Sequence, residues 1–267
     1  MSSLKSRLLV SAVGVPLLLW VVLAAPTIVM TIALAVLSAI GADELMKCVG
    51  ARPYVRSCAV GFAALSVMWN ETPFTNQIAI LWVIYVVGIF VYAIIKAGEV
   101  KFQEIAASIC AVILIPYSFS AFLRLEAAGF HRAYLLLPFI LSFACDTFAY
   151  LVGCSMGKHK LAPKVSPKKS VEGSVGGLLG NVLCGCIFVF VMNRWFGGTI
   201  SYGGMVLLAL ACGVVAQVGD LSFSLIKREF GIKDYGKLFL AHGGVLDRFD
   251  SVLFVTPVIE IILGFMK

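Results

Sequence analysis

This sequence predicts an all-α fold, a polytopic integral membrane helical bundle of about nine transmembrane helices. Three observations carry the expectation. The 267 residues are 61% hydrophobic and only 13% charged, whereas a soluble domain carries roughly 25% charged residues. The mean hydropathy is +1.01, so the bilayer has to be the solvent for most of the chain. The basic residues also divide unevenly between alternate loops, as they do in membrane proteins.

Each span is an apolar run near the roughly 20 residues that crossing a bilayer needs. The runs are Leu8–Ala24, Thr27–Ala42, Val55–Trp69, Gln77–Ile95, Ile105–Leu123, Tyr134–Cys154, Ser174–Trp195, Gly203–Ile226 and Ser251–Met266. The first follows Lys5 and Arg7 and ends in Ala24-Ala25, so a cleaved signal peptide is its rival reading. The second and third are short, and fit either a tilted pair or a re-entrant element. Pro16 and Pro116 lie inside spans, where helices in lipid tolerate a kink.

With the N-terminus inside, nine spans put 17 Lys/Arg on the cytoplasmic side and 4 outside (Arg124, Arg132, Arg194 and Lys267). That split supports the orientation and gives the net charge of +7 a membrane explanation, with no nucleic-acid partner. The expected location is a bacterial cytoplasmic (inner) membrane with the polar loops facing the cytoplasm. The eight cysteines form no disulfide or zinc pattern and read as small buried apolar residues.

Two regions are expected. Residues 1–130 read as a scaffold of spanning helices whose charges, Asp43, Glu44, Lys47, Glu99 and Glu104, sit at membrane edges. Residues 131–267 read as the catalytic region. It carries acids in or near spans (Asp146, Asp220, Glu260) and two long polar loops, Gly157–Gly173 and Lys227–Asp250. Loops of more than about 12 residues often mark function.

The densest stretch is Ser224–Asp250, with five Lys/Arg and four Asp/Glu in 27 residues. Asp220, Ser224, Lys227 and Arg228 share one helical face. A carboxylate as deep as Asp220 costs about 2.5–3.5 kcal/mol on insertion scales. Either a neighbouring Lys or Arg compensates it, or a metal ion does. In the loop that follows, His242 precedes Gly243 and Gly244, which let backbone N–H groups approach an anion. Asp247 and Asp250 are neighbours across a helical turn, with Arg248 between them. An ordinary N-cap explains one of them but not the cluster. In the other loop Ser166, Lys168, Lys169 and Ser170 read as a solvated basic run or as a clamp on a polyphosphate. Asp146 reads as a buried acid: a metal ligand, a support behind one, or a nucleotide contact. Glu260 reads as a protonated interior hydrogen-bonding group near mid-membrane.

These residues resemble the phosphatidate cytidylyltransferase, or CDP-diacylglycerol synthase, family. Ser224, Ile226, Lys227, Arg228, Lys233, Asp234, Gly236, His242, Gly243, Gly244, Val245, Asp247, Arg248, Phe249 and Asp250 match its pattern in register. Leu240 departs from it, where Pro, Gly or Ser is usual. The resemblance implies Mg²⁺-dependent condensation of CTP with phosphatidate to CDP-diacylglycerol and pyrophosphate, in phospholipid biosynthesis. It implies ions held by Asp220 and Asp247, the second of uncertain identity, with Asp250 as a further ligand or support. Lys227, Arg228, Lys233, Arg248, Lys168 and Lys169 would hold the triphosphate and the lipid headgroup. Ser224 and His242 would be polar contacts. A homodimer is compatible with the resemblance.

Two rival functions remain at this level. Another membrane enzyme acting on a lipid phosphate shares the same chemistry. An ion-coupled transporter would use intramembrane acids, but needs polar residues through the full thickness. Here they cluster inward, with Glu260 the main exception.

Overall fold

The computed structural model describes the backbone of residues 3–72, 77–198, 200–239 and 243–266, and side chains from residue 12 onward. The described residues form nine α-helices and one small hairpin. Seven of the helices are long and apolar enough to cross a membrane. The chain is a polytopic helical membrane protein, and it divides into two compact units.

Unit 1 comprises Met1–Leu123 and Glu229–Arg248. Its helices are α1 (Ser3–Leu23), α2 (Thr27–Cys48), α3 (Pro53–Met68), α4 (Ile78–Ile95) and most of α5 (Phe102–Ala127). Pro26 and Pro53 sit where α2 and α3 begin, positions at which a missing N–H costs nothing. The expected second span stops at Ala42, yet α2 runs on to Cys48. Asp43 pairs with Lys47 one turn on and with Arg56 of α3, so the charged turn stays helical. The 16 residues of α3 match its expected shortness. Asn70 donates to Ser120 on α5. On α4, Ile80, Val83, Ile84, Val87, Val91 and Ile94 are exposed. Such a face suits lipid, not water.

Unit 2 comprises Arg124–Arg228 and Phe249–Lys267. It holds α6 (Leu137–Met156), α7 (Val171–Trp195), α8 (Tyr202–Glu229) and most of α9 (Leu246–Met266). The loop expected between α6 and α7 folds as an antiparallel hairpin, β1 (Lys160–Ala162) with β2 (Ser166–Ser170), pairing Lys160 with Ser170 and Ala162 with Ser166. Helices α6 and α7 pack closely through small residues, as spanning helices often do. A Cβ on Gly177 would come within 2.8 Å of the Cys145 carbonyl oxygen. The 28 residues of α8 extend about 42 Å, longer than a hydrocarbon core of roughly 30 Å. Its last turns, with Lys227 and Arg228, therefore reach past the apolar layer.

Candidate active site

In unit 2 the ends of α6 and α8 and the start of α7 meet around the hairpin. Ser170 caps α7, accepting from the Gly173 N–H at 3.1 Å, so this residue has a structural task beside any ligand contact. Glu172, in the first turn of α7, accepts from the backbone N–H groups of Lys158 and His159 and meets His159 Nδ1 at 2.6 Å. Arg228 Nε on α8 donates to the Val165 carbonyl at 3.4 Å. The hairpin is thus fastened at its base and at its turn, which keeps a lysine-rich segment from drifting into solvent.

A cavity of about 640 Å³ opens beside it, a size typical of small-ligand sites. Six of the sequence-predicted residues line it: Asp146, Ser166, Lys168, Lys169, Ser170 and Asp220. Gln217 and Ser174 join them, a pair that the sequence reading missed and that hydrogen-bond each other. Polar residues one turn before Asp220 and at the start of α7 were the available signal. Asp146 differs from its expected burial. It is exposed, because the cavity opens at its turn of α6.

Asp220 forms an ion pair with Lys169, and Ser224 Oγ donates to its other oxygen at 3.4 Å. Of the two compensations open to Asp220, a cationic side chain is therefore present. Burial pushes the Lys169 ammonium below the usual lysine range, while Asp146 and Asp250 pull it back up. Asp250 on α9 is only 9% exposed and accepts from the Ser251 N–H. Asp146, Lys227 and Lys169 all act on it electrostatically. Lys227 is likewise 9% exposed, far more buried than a solvated loop lysine. Gly219 lets α8 approach the Asp250 backbone: a Cβ there would lie 2.9 Å from its carbonyl oxygen.

In unit 1 the loop before α9 is organised by two carboxylates. Asp247 Oδ2 accepts from the Tyr235 N–H at 2.8 Å and the Gly244 N–H at 2.9 Å. Glu44, from α2, accepts from the Val245 N–H at 3.0 Å and the Leu246 N–H at 2.9 Å, one with each oxygen. Gly243 has φ +86° and faces the Asp247 carboxylate, so only glycine fits there. The glycine pair thus turns the chain and makes room for the acids, and the Gly244 N–H is engaged by a protein carboxylate. Lys233 and Arg248 are exposed. His242 and Leu240 lie outside the described residues. Glu44 is the residue that the sequence reading assigned to scaffold. Its one available signal was an acid near the end of a spanning helix.

In unit 2 Arg124 and Glu260 form a two-point ion pair, Nε to Oε1 at 2.6 Å and Nη2 to Oε2 at 2.7 Å. Glu260 was expected as an interior hydrogen-bonding group, and its partner is the Arg124 guanidinium. Both of its oxygens accept, and its partner sits in the last turn of α5.

Among the described residues no three His, Cys, Asp or Glu side chains gather as a metal cage. Mg²⁺ does not require one: it is usually held by one or two carboxylates together with substrate phosphates and water. Asp146 and Asp220 in one cavity, with hydroxyl and amide oxygens beside them, form a hard-oxygen donor set that fits such an ion.

The cytidylyltransferase family model matches residues 5–266 of the chain. Phosphatidate cytidylyltransferase of Staphylococcus haemolyticus (strain JCSC1435) is 31% identical over 172 residues, 64% of this chain and 64% of that protein. Phosphatidate cytidylyltransferase of Staphylococcus aureus (strain COL) is 33% identical over 172 residues, again 64% of each. The matched stretch therefore spans just under two thirds of these relatives.

Proposed function

The chain belongs to the cytidylyltransferase family, and on that premise we propose that it is a phosphatidate cytidylyltransferase. It joins CTP to phosphatidate, giving CDP-diacylglycerol and pyrophosphate, at the cytoplasmic edge of a bacterial inner membrane. The observation that carries this reading is the cavity of unit 2, where two acids, three lysines and several hydroxyls line one space beside membrane helices. Its polar wall suits a triphosphate, and the apolar side chains of Tyr150 and Leu161 suit the glycerol end of a lipid.

In the proposed reaction a phosphate oxygen of phosphatidate attacks the α-phosphorus of CTP. The bond from that phosphorus to the bridging oxygen of the β-phosphate breaks, and pyrophosphate leaves with the electron pair. The attacking oxygen is already anionic near neutral pH, so no strong base is needed. Positioning and charge neutralisation are the protein's contribution. Lys168, Lys169, Lys227, Arg228, Lys233 and Arg248 are assigned to the phosphates, and Ser166, Ser170, Ser224 and His242 to polar contacts. Asp220, with Asp146 beside it in the cavity, is assigned to Mg²⁺, and the family resemblance adds Asp247 as a second carboxylate with Asp250 in support. Bound Mg²⁺ would supply charge neutralisation at the triphosphate. Binding of the nucleotide then releases Lys169 from Asp220, so that the ammonium is free to meet a phosphate.

The test is direct. Purified protein with CTP, phosphatidate and Mg²⁺ should release pyrophosphate and form CDP-diacylglycerol, and Asp220→Asn should abolish this while inserting and purifying normally. Wild-type-like turnover in that variant would remove Asp220 from the metal assignment. Transfer to a polyprenyl phosphate in place of phosphatidate would replace the lipid assignment.

A further inference from the structure

We propose that Glu44, on α2, is a positioning residue for this reaction: its carboxylate sets the point at which α9 begins and so holds Asp247 and Arg248 in place. The inference rests on the function proposed above and deepens it.

Four observations converge on Glu44. It is only 4% exposed, a rare degree of burial for an acid. Its two oxygens take two successive backbone N–H groups, those of Val245 and Leu246. These are among the donors that a helix start leaves unpaired, and the partial positive charge there favours an anion. Gly236 and Gly244 both abut the carboxylate, and a Cβ on either would collide with it. Asp247 binds the same loop from within, through Tyr235 and Gly244. One acid from a distant helix and one local acid therefore hold Tyr235 and residues 244–246, within the charged motif. Glu44 also borders a cavity of about 750 Å³ with Asp43, Lys47, Asp234, Lys237 and Gly243, so a shift of the clamp would reshape that space.

A carboxylate is needed, not merely a polar group. A glutamine offers one oxygen, and its NH₂ would face an N–H donor. An aspartate is one methylene shorter and cannot reach both donors at once. A slight displacement of Asp247 should register in turnover, since about 1 Å of misplacement can cost on the order of 100-fold.

The experiment uses the full-length protein in lipid nanodiscs. Glu44→Gln, Glu44→Asp and Gly244→Ala are compared with wild type for folded fraction, kcat, KM for CTP and phosphatidate, and hydrogen exchange at the Val245 and Leu246 amides. The expected result is a loss of kcat of about 10- to 100-fold per folded molecule, with KM little changed and faster exchange at both amides. Gly244→Ala, which pushes the carboxylate away from the opposite side, should reproduce the defect, and combining it with Glu44→Gln should add little. Wild-type kcat per folded molecule, with only stability lowered, would reduce Glu44 to a structural staple and overturn the proposal. If Glu44→Gln does not fold, Gly244→Ala decides the matter by the same readouts. If the wild type itself fails to turn over CTP and phosphatidate, the functional reading falls, while unchanged exchange in the variants would separately refute the clamp.

Discussion

The Arg124–Glu260 pair decides whether Glu260 is a structural residue. Its two hydrogen bonds are charge-assisted, at 2.6 and 2.7 Å, and the side chains are 26% and 22% exposed. Hydrogen bonds to charged groups contribute about 1.5–3 kcal/mol each. Breaking a fully buried pair by removing one partner costs about 3–5 kcal/mol. Exposure of about a quarter weakens this pair, so Glu260→Leu or Arg124→Met should each cost about 2–3 kcal/mol. For a chain of this size that lowers the unfolding midpoint by roughly 4–12 °C. The double variant leaves no lone charge, and apolar replacement of an ion pair is often neutral. It should therefore be no less stable than the weaker single variant. The assay is thermal unfolding of all four proteins in one detergent, read as a double-mutant cycle, with turnover measured per folded molecule. Additive losses would refute the pairing. A loss of turnover in the folded double variant would refute the reading of Glu260 as structural and would give it a part in the reaction.

Three further outcomes are expected. Lys169 holds its proton less tightly in the folded protein than the ordinary value of 10.5, so folding is disfavoured while it stays charged. In metal-free protein the stability of wild type relative to Lys169→Met should rise as pH climbs from that lowered value towards 10.5, measured by denaturant titration across the alkaline range. Gly177→Val would place a side chain where Cys145 and Ala149 already pack. Yield and thermal midpoint should both collapse, whereas Gly14→Val, in open space, should leave them nearly unchanged. Glu172→Ala removes the acceptor at the hairpin base. It should raise KM for CTP several-fold and speed protease cleavage at 158–169, with the helices intact by circular dichroism.

The spans were legible because lipid demands long apolar runs wherever a helix crosses, and composition alone reports that demand. The errors fall where charge entered a helix. α2 was expected to end at Ala42, since Asp43, Glu44 and Lys47 looked like solvent. Their partners are Arg56, the start of α9 and one another, and two of these three become visible only in space. The hairpin had no strand signal of its own. Its strands are short and rich in Ser, Lys and Pro, and are held by Glu172 and Arg228 from flanking helices.

Spacing along α8 was enough to group Asp220, Ser224, Lys227 and Arg228, because a helix converts spacing into a common face. It could not decide what neutralises Asp220, since Lys169 arrives from a hairpin 51 residues earlier. The same limit explains Glu44, which meets Val245 across 201 residues. Read alone, the glycine pair suggests an open cradle for a phosphate. In the fold, protein carboxylates already take the N–H groups of Gly244, Val245 and Leu246. Bare N–H groups would attract any anion, whereas paired ones fix a backbone. Under the proposed function, recognition of phosphate therefore falls to the lysine and arginine side chains, and these two carboxylates hold the backbone at the start of α9.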